Sequence, residues 1–111
     1  MNADALLGLR DALARLPGPA GERHAVVFEH GSLSLELYAP RGADPQQPHT
    51  RDEVYVVVRG SGTFVRAGER FRFEAGDALF VAAGVEHRFE DFGDDLAAWV
   101  VFYGREGGEA E

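Results

Sequence analysis

The sequence predicts an all-β domain of antiparallel strands, a sandwich or barrel, preceded by one short amphipathic helix. Three observations predict it. The chain has 111 residues, 45% hydrophobic and 27% charged, which suits one globular domain with a modest core and leaves no room for a second. After residue 22 the apolar residues fall into many short runs separated at close spacing by Gly-, Pro- and Asp-rich turn signals. Two of those runs are apolar on both faces, as strands covered on both sides must be.

The first segment, residues 1–18, reads as a helix packing on the barrel. Leu6, Leu9, Leu13 and Leu16 recur at helical spacing, Asn2 or Asp4 can cap the start, and Pro17-Gly18-Pro19 stops it. Its polar face carries only Arg10 and Arg15, too little for a membrane-surface helix. The β domain occupies residues 19–104, with strands expected over His24–Phe28, Leu33–Tyr38, Asp52–Val58, Gly62–Arg66, Arg70–Phe73, Ala78–Val81, His87–Glu90 and Ala97–Tyr103. His30-Gly31, Pro40 to Pro48, Gly60-Ser61-Gly62, Ala67-Gly68, Ala75-Gly76-Asp77 and Phe92 to Asp95 supply the turns. Residues 105–111 are glycine-rich and acidic and read as a flexible tail. In the runs around Val54–Val58 and Trp99–Tyr103 both alternating sets are apolar, so the outer face needs a cover: the helix, a second sheet or another subunit, which makes a homodimer an expectation.

Composition narrows the chemistry. A net charge of −8 repels phosphate backbones, so nucleic acid is not an expected partner. Cysteine is absent, which removes disulfides, thiolate ligands and cysteine nucleophiles. All 11 basic residues are arginines, so lysine Schiff-base chemistry is excluded too. The N-terminus lacks the basic start and apolar run of a signal peptide, and no run is long enough to cross a bilayer; a cytoplasmic protein with no membrane partner is expected. There is no nucleophile elbow, P-loop or dinucleotide fingerprint. His24 and His30 receive no role, and Arg66, Arg70 and Arg72 read as a solvated rim.

Histidine and carboxylate therefore carry whatever chemistry there is. In an extended chain alternate side chains share a face, which groups Gln47, His49, Glu53 and Tyr55, with the alternation dependable from Asp52 onward because Pro48 disturbs the start. The same rule groups His87, Phe89 and Asp91 and turns Arg88 and Glu90 to water. An imidazole and a carboxylate projecting together form part of a common metal site, and His87 is the candidate third ligand.

The glycine spacing joins these fragments into a longer pattern. His49, three residues, Glu53, six residues and Gly60 form the first part; Gly76, five residues, Ala82, one residue, Gly84, two residues, His87, three residues and Asp91 form the second; the fifteen residues Ser61–Ala75 lie between. In this the chain resembles the cupin superfamily, as a small single-domain member, over roughly Pro40 to Tyr103. Four positions depart from the family pattern. Gln47 stands where the first histidine would, Gly42 lies one residue too close to it, Ala82 replaces a proline, and Asp91 replaces an asparagine.

The resemblance implies a small antiparallel jelly-roll β-barrel with a divalent metal, iron, zinc, manganese or nickel, at its centre. His49, Glu53 and His87 would be ligands. Gln47 either supplies a fourth ligand through its neutral carbonyl oxygen or orients a water or ligand beside a three-residue site. Tyr55, Phe89 and Asp91 would line the pocket, with Phe80, Trp99 and Tyr103 as further aromatic candidates. Tyr55 and Asp91 are the candidate acid–base groups. The implied partner is a small organic molecule, and the implied function a metal-dependent enzyme performing dioxygenation, isomerisation or decarboxylation. A binding or sensing module without turnover and a metal-free barrel with a buried polar network remain the alternatives.

Overall fold

The computed structural model describes residues 5–110. Eight strands follow one short helix: α1 (Leu9–Leu13), β1 (His24–His30), β2 (Leu33–Tyr38), β3 (Asp52–Arg59), β4 (Ser61–Arg66), β5 (Glu69–Glu74), β6 (Ala78–Val81), β7 (His87–Glu90) and β8 (Ala97–Tyr103). They form a five-stranded sheet in the order β1-β2-β8-β3-β6 and a three-stranded sheet in the order β5-β4-β7, with every pairing antiparallel. Pairing of β8 with both β2 and β3, distant in sequence, gives the jelly-roll character that a simple meander lacks. No helix among the described residues is long and apolar enough to cross a membrane.

The strands begin and end within two residues of the expected ones. The largest difference is at His30, which continues β1 instead of turning; a bulge between Val26 and Phe28 resets the register, and the turn falls at Gly31-Ser32. Glycine is required at Gly60, between β3 and β4. Its φ is 91°, and a Cβ there would sit 2.8 Å from the Leu96 Cα.

The helix is shorter than the leucine spacing suggests. It starts after Gly8, which provides no side-chain cap, and it has five residues. Glycine costs helical stability, and Leu6 upstream has little to pack on: it is 83% exposed. The proposed caps Asn2 and Asp4 lie outside the described residues. What remains of the helix packs on β2 and buries Ala12, on the sheet face where Leu37 is also buried. Farther along that face, Val56 and Phe80 are 37% and 46% exposed.

The core lies between the sheets. Tyr55, Val57 and Val100 from the larger sheet meet Phe64, Phe73 and Phe89 from the smaller one, with Tyr55 edge-on to both Phe64 and Phe89. The C-terminal segment crosses back over the start of β3: the Gly107 amide donates to the Thr50 carbonyl at 2.7 Å and the Glu109 amide to Asp52 Oδ2 at 2.8 Å.

Candidate metal centre

Strand register assembles the site. Ser34, Phe102 and Glu53 form one rung across β2, β8 and β3, and Glu36, Val100 and Tyr55 form the next. All six point toward the smaller sheet, from which His87 on β7 faces Glu53. His49 precedes β3 in the loop. Its carbonyl accepts the Gly84 amide at 2.7 Å, and Gly84, with φ 79°, makes the turn that carries the chain into His87. The two ligand-bearing segments are thus tied together by backbone.

One carboxylate lies between two imidazoles. Glu53 Oε1 is 2.8 Å from His87 Nε2 and 3.2 Å from His49 Nδ1, and ligand atoms of all three residues fall within 4.8 Å of one another. Glu53 is fully buried and His87 nearly so, while His49 is 34% exposed. Burial opposes the Glu53 charge, but the two imidazoles outweigh it and hold the carboxyl below its usual range. Burial likewise opposes a charged His87, but Glu53 and the Val85 carbonyl overcome it and raise the imidazole's pKa.

Hydrogen bonds fix the protons. Asp44 Oδ2 accepts from Gln46 Nε2 at 2.6 Å, so the Gln46 carbonyl oxygen is turned to Tyr55, whose hydroxyl donates to it at 3.0 Å. The Tyr55 oxygen is then left to accept from His87 Nε2 at 3.0 Å. His87 Nδ1 donates to the Val85 carbonyl at 2.9 Å. Nδ1 is thus spent on the backbone, and Nε2 faces both the Glu53 carboxylate and the Tyr55 oxygen.

Two buried atoms find no partner in this network, Glu53 Oε2 and His49 Nδ1, the latter poorly aligned for a hydrogen bond despite its approach to Oε1. An unpaired buried carboxylate oxygen is costly. Two imidazoles and one carboxylate, with a ligand atom from each within 4.8 Å of the others and two buried polar atoms unpartnered, fit a borderline divalent cation. Among the described residues, His49, Glu53 and His87 are the group of this kind.

A cavity of about 890 Å³ adjoins the centre, and His49, Tyr55, Gln46 and Gln47 lie in its wall. Gln47 is exposed at that wall, while its neighbour Gln46 is the half-buried glutamine bonded to Tyr55. Burial raises the Tyr55 pKa, so its hydroxyl keeps its proton and serves as a donor. Phe89 is buried beneath Tyr55 in the core rather than in the cavity wall.

Asp91 is not brought to the site. Strand β7 ends at Glu90, Asp91 takes φ 54°, and its exposed carboxylate faces Arg70 at 3.6 Å, so strand alternation no longer applies there. Phe80, Trp99 and Tyr103 pair with Val54, Val56 and Asp52 on the outer face; the β8 residues that face inward are Ala98, Val100 and Phe102.

Sequence reasoning missed Asp44 and Gln46. Asp44 also accepts the Phe89 amide at 2.8 Å and bonds the Tyr38 hydroxyl, tying the loop before β3 to β7 and β2. The loop composition gives no sign of which polar residue turns inward.

Comparison with known proteins agrees with this architecture. A cupin domain model matches residues 34–103. An uncharacterized protein of Streptomyces coelicolor is 38% identical over 73 residues, covering 64% of this chain and 70% of that protein. A cupin-2 domain containing protein from Shewanella frigidimarina superposes with a TM-score of 0.69 at 17% identity, over 89% of this chain and 95% of that one. A Neisseria meningitidis protein superposes with a TM-score of 0.71 at 19% identity, over 89% and 99% of the two chains. With the family model covering most of its length and the two-sheet fold in place, the chain belongs to the cupin family.

Proposed function

We propose that His49, Glu53 and His87 bind one divalent metal ion, iron, zinc, manganese or nickel, and that the protein is a metal-dependent enzyme acting on a small organic molecule held in the adjoining cavity. The observation that carries the reading is the pair of orphaned buried atoms, Glu53 Oε2 and His49 Nδ1, inside a His–His–Glu cluster. Two neutral imidazoles and one carboxylate leave a divalent ion with net positive charge and open positions. Bound there, the ion would supply Lewis-acid polarisation of an oxygen ligand or, as iron, a redox centre for dioxygenase-type chemistry.

The chain's own residues do the rest. His49 and Tyr55 meet the cavity directly, so a molecule entering it reaches the centre from that side. Tyr55, fixed by Gln46 and Asp44, orients the His87 ring and keeps its own proton. Gln47, exposed in the wall, orients the ligand or a water beside the centre.

Elemental analysis of protein purified without a histidine tag tests this reading. We expect about one ion per chain after reconstitution, in line with a single three-residue site. A content far below that, unchanged by added iron, zinc, manganese or nickel, would overturn it. Gln47→Ala is expected to retain the ion and weaken ligand binding; loss of the ion would make Gln47 a ligand.

A second copy of the chain covers the outer face in this reading, since Val56 and Phe80 stay exposed where α1 does not reach. Light scattering should give a dimer mass, and Phe80→Glu should convert it to monomer; a wild-type monomer removes the homodimer.

A further inference from the structure

We propose that the end of the cavity remote from Glu53 is an anion site, where Arg23 and Arg41 hold the carboxylate or phosphate of a small hydroxyl-bearing molecule whose other end reaches the His–His–Glu centre. The second half of this statement rests on the metal-centre reading; the anion site does not.

The arginines of this acidic protein are placed unevenly. Arg66, Arg70 and Arg88 face Glu69, Glu90, Asp91 and Glu90 on the surface. Arg23, Arg41 and Arg51 line the cavity instead, and none of them pairs with a carboxylate among the described residues. Arg51 is engaged by the Ser32 carbonyl and lies over the Phe102 ring, 6.0 Å from its centroid. The other two are less committed. Arg23 uses Nε on the Ala39 carbonyl at 2.8 Å, which fixes the guanidinium and leaves its terminal nitrogens available. Arg41 makes no side-chain hydrogen bond among the described residues.

The Arg23 and Arg41 charges act on each other. Burial, and then the charge of Arg41, depress the Arg23 pKa. Glu22, beside Arg23 in sequence, turns its carboxylate to the Ala20 amide at 2.9 Å. Two guanidiniums lining one cavity, neither in an ion pair among the described residues, are relieved by a bound anion, which a planar fork of N–H groups recognises well.

Strand register gives the length. Ser34 shares a rung with Phe102 and Glu53, and Ala39, which bonds Arg23, lies five residues farther along. At about 3.3 Å per residue Ala39 lies ~17 Å beyond Ser34 along the strand direction, with Glu53 two strands across the sheet, and the side chains reach inward to shorten that span. Glu36 faces the lumen between them, on the Tyr55 rung, with no hydrogen-bond partner among the described residues. A half-buried carboxyl in the cavity lining offers an acceptor to a ligand hydroxyl and no attraction to a second anionic group at mid-length.

Calorimetric titration with D-gluconate, D-glucose 6-phosphate and neutral D-glucose tests the site, first on protein stripped with a chelator and then on reloaded protein. At least one of the two anions should bind stripped wild type, and the stronger identifies the headgroup. D-glucose should bind at least about tenfold more weakly. Arg41→Gln, which removes no hydrogen bond of the fold, should weaken the anion about tenfold or more, and Arg23→Gln should do likewise. No binding of either anion, equal binding of glucose, or affinity unchanged in Arg41→Gln would overturn the proposal. Failure of the metal reading looks different: no ion is taken up, while the arginine-dependent anion titration stays intact.

Discussion

His87→Ala is expected to lose its metal, with retention falling more than about a hundredfold, since even residues that merely support a ligand are worth 10–100-fold. The variant also leaves the buried Glu53 carboxylate without its closest partner, 2.8 Å away, and breaking such a buried pair costs about 3–5 kcal/mol. A poorly folded His87→Ala protein would therefore be ambiguous by itself. His49→Ala separates the effects. His49 is 34% exposed and lies farther from Glu53 than His87 does, 3.2 Å against 2.8 Å, so its removal should lower the thermal midpoint of the metal-free protein less than His87→Ala does. It should still abolish stoichiometric metal uptake, measured by elemental analysis after reconstitution. Full occupancy in either variant would remove that histidine from the ligand set. Wild-type and His49→Ala proteins that both fail to take up metal would favour a purely structural polar network.

Asp44→Ala is expected to be the most damaging substitution outside the ligand set. One carboxylate serves the Phe89 amide, the Gln46 side chain and the Tyr38 hydroxyl, so three elements lose a common anchor together. Leaving the donors of buried Phe89 and half-buried Tyr38 unpaired costs about 3 kcal/mol, at about 1–3 kcal/mol for each stranded group. Urea unfolding should show a lower midpoint with an unchanged slope. The loss should also reach the centre: with Gln46 free to rotate, Tyr55 no longer has a fixed acceptor, and the His87 ring loses its oriented partner. Asp44→Asn, which keeps one acceptor oxygen, should fall between Ala and wild type. Stability within about 0.5 kcal/mol of wild type for Asp44→Ala would show that the hub is dispensable.

Much of this is legible in the sequence. The alternation of β3 and β8 and the glycine punctuation around Gly60 and Gly76 gave strand limits close to those observed. The spacing of His49, Glu53 and His87 brought three side chains together that are separated by as many as 38 residues. Alternation failed where the chain stops being a strand: at Asp91, in a left-handed conformation beyond β7, and in the loop where Gln46 rather than Gln47 turns to Tyr55. The leucine spacing overextended the helix because it cannot register that Leu6 has little to pack against.

Local pattern thus settled the strands, their inward faces and the residue types available for chemistry, with neither thiol nor amine among them. Those properties depend on side-chain period and composition, which the chain carries in itself. The hydrogen-bond partners of His87, the Asp44 hub, the placement of Phe80 and Trp99 on the outer face, and the grouping of Arg23 with Arg41 in one cavity all needed the fold. Each depends on which residues from distant segments meet across two sheets, and strand pairing and loop closure set that geometry rather than any spacing along the sequence.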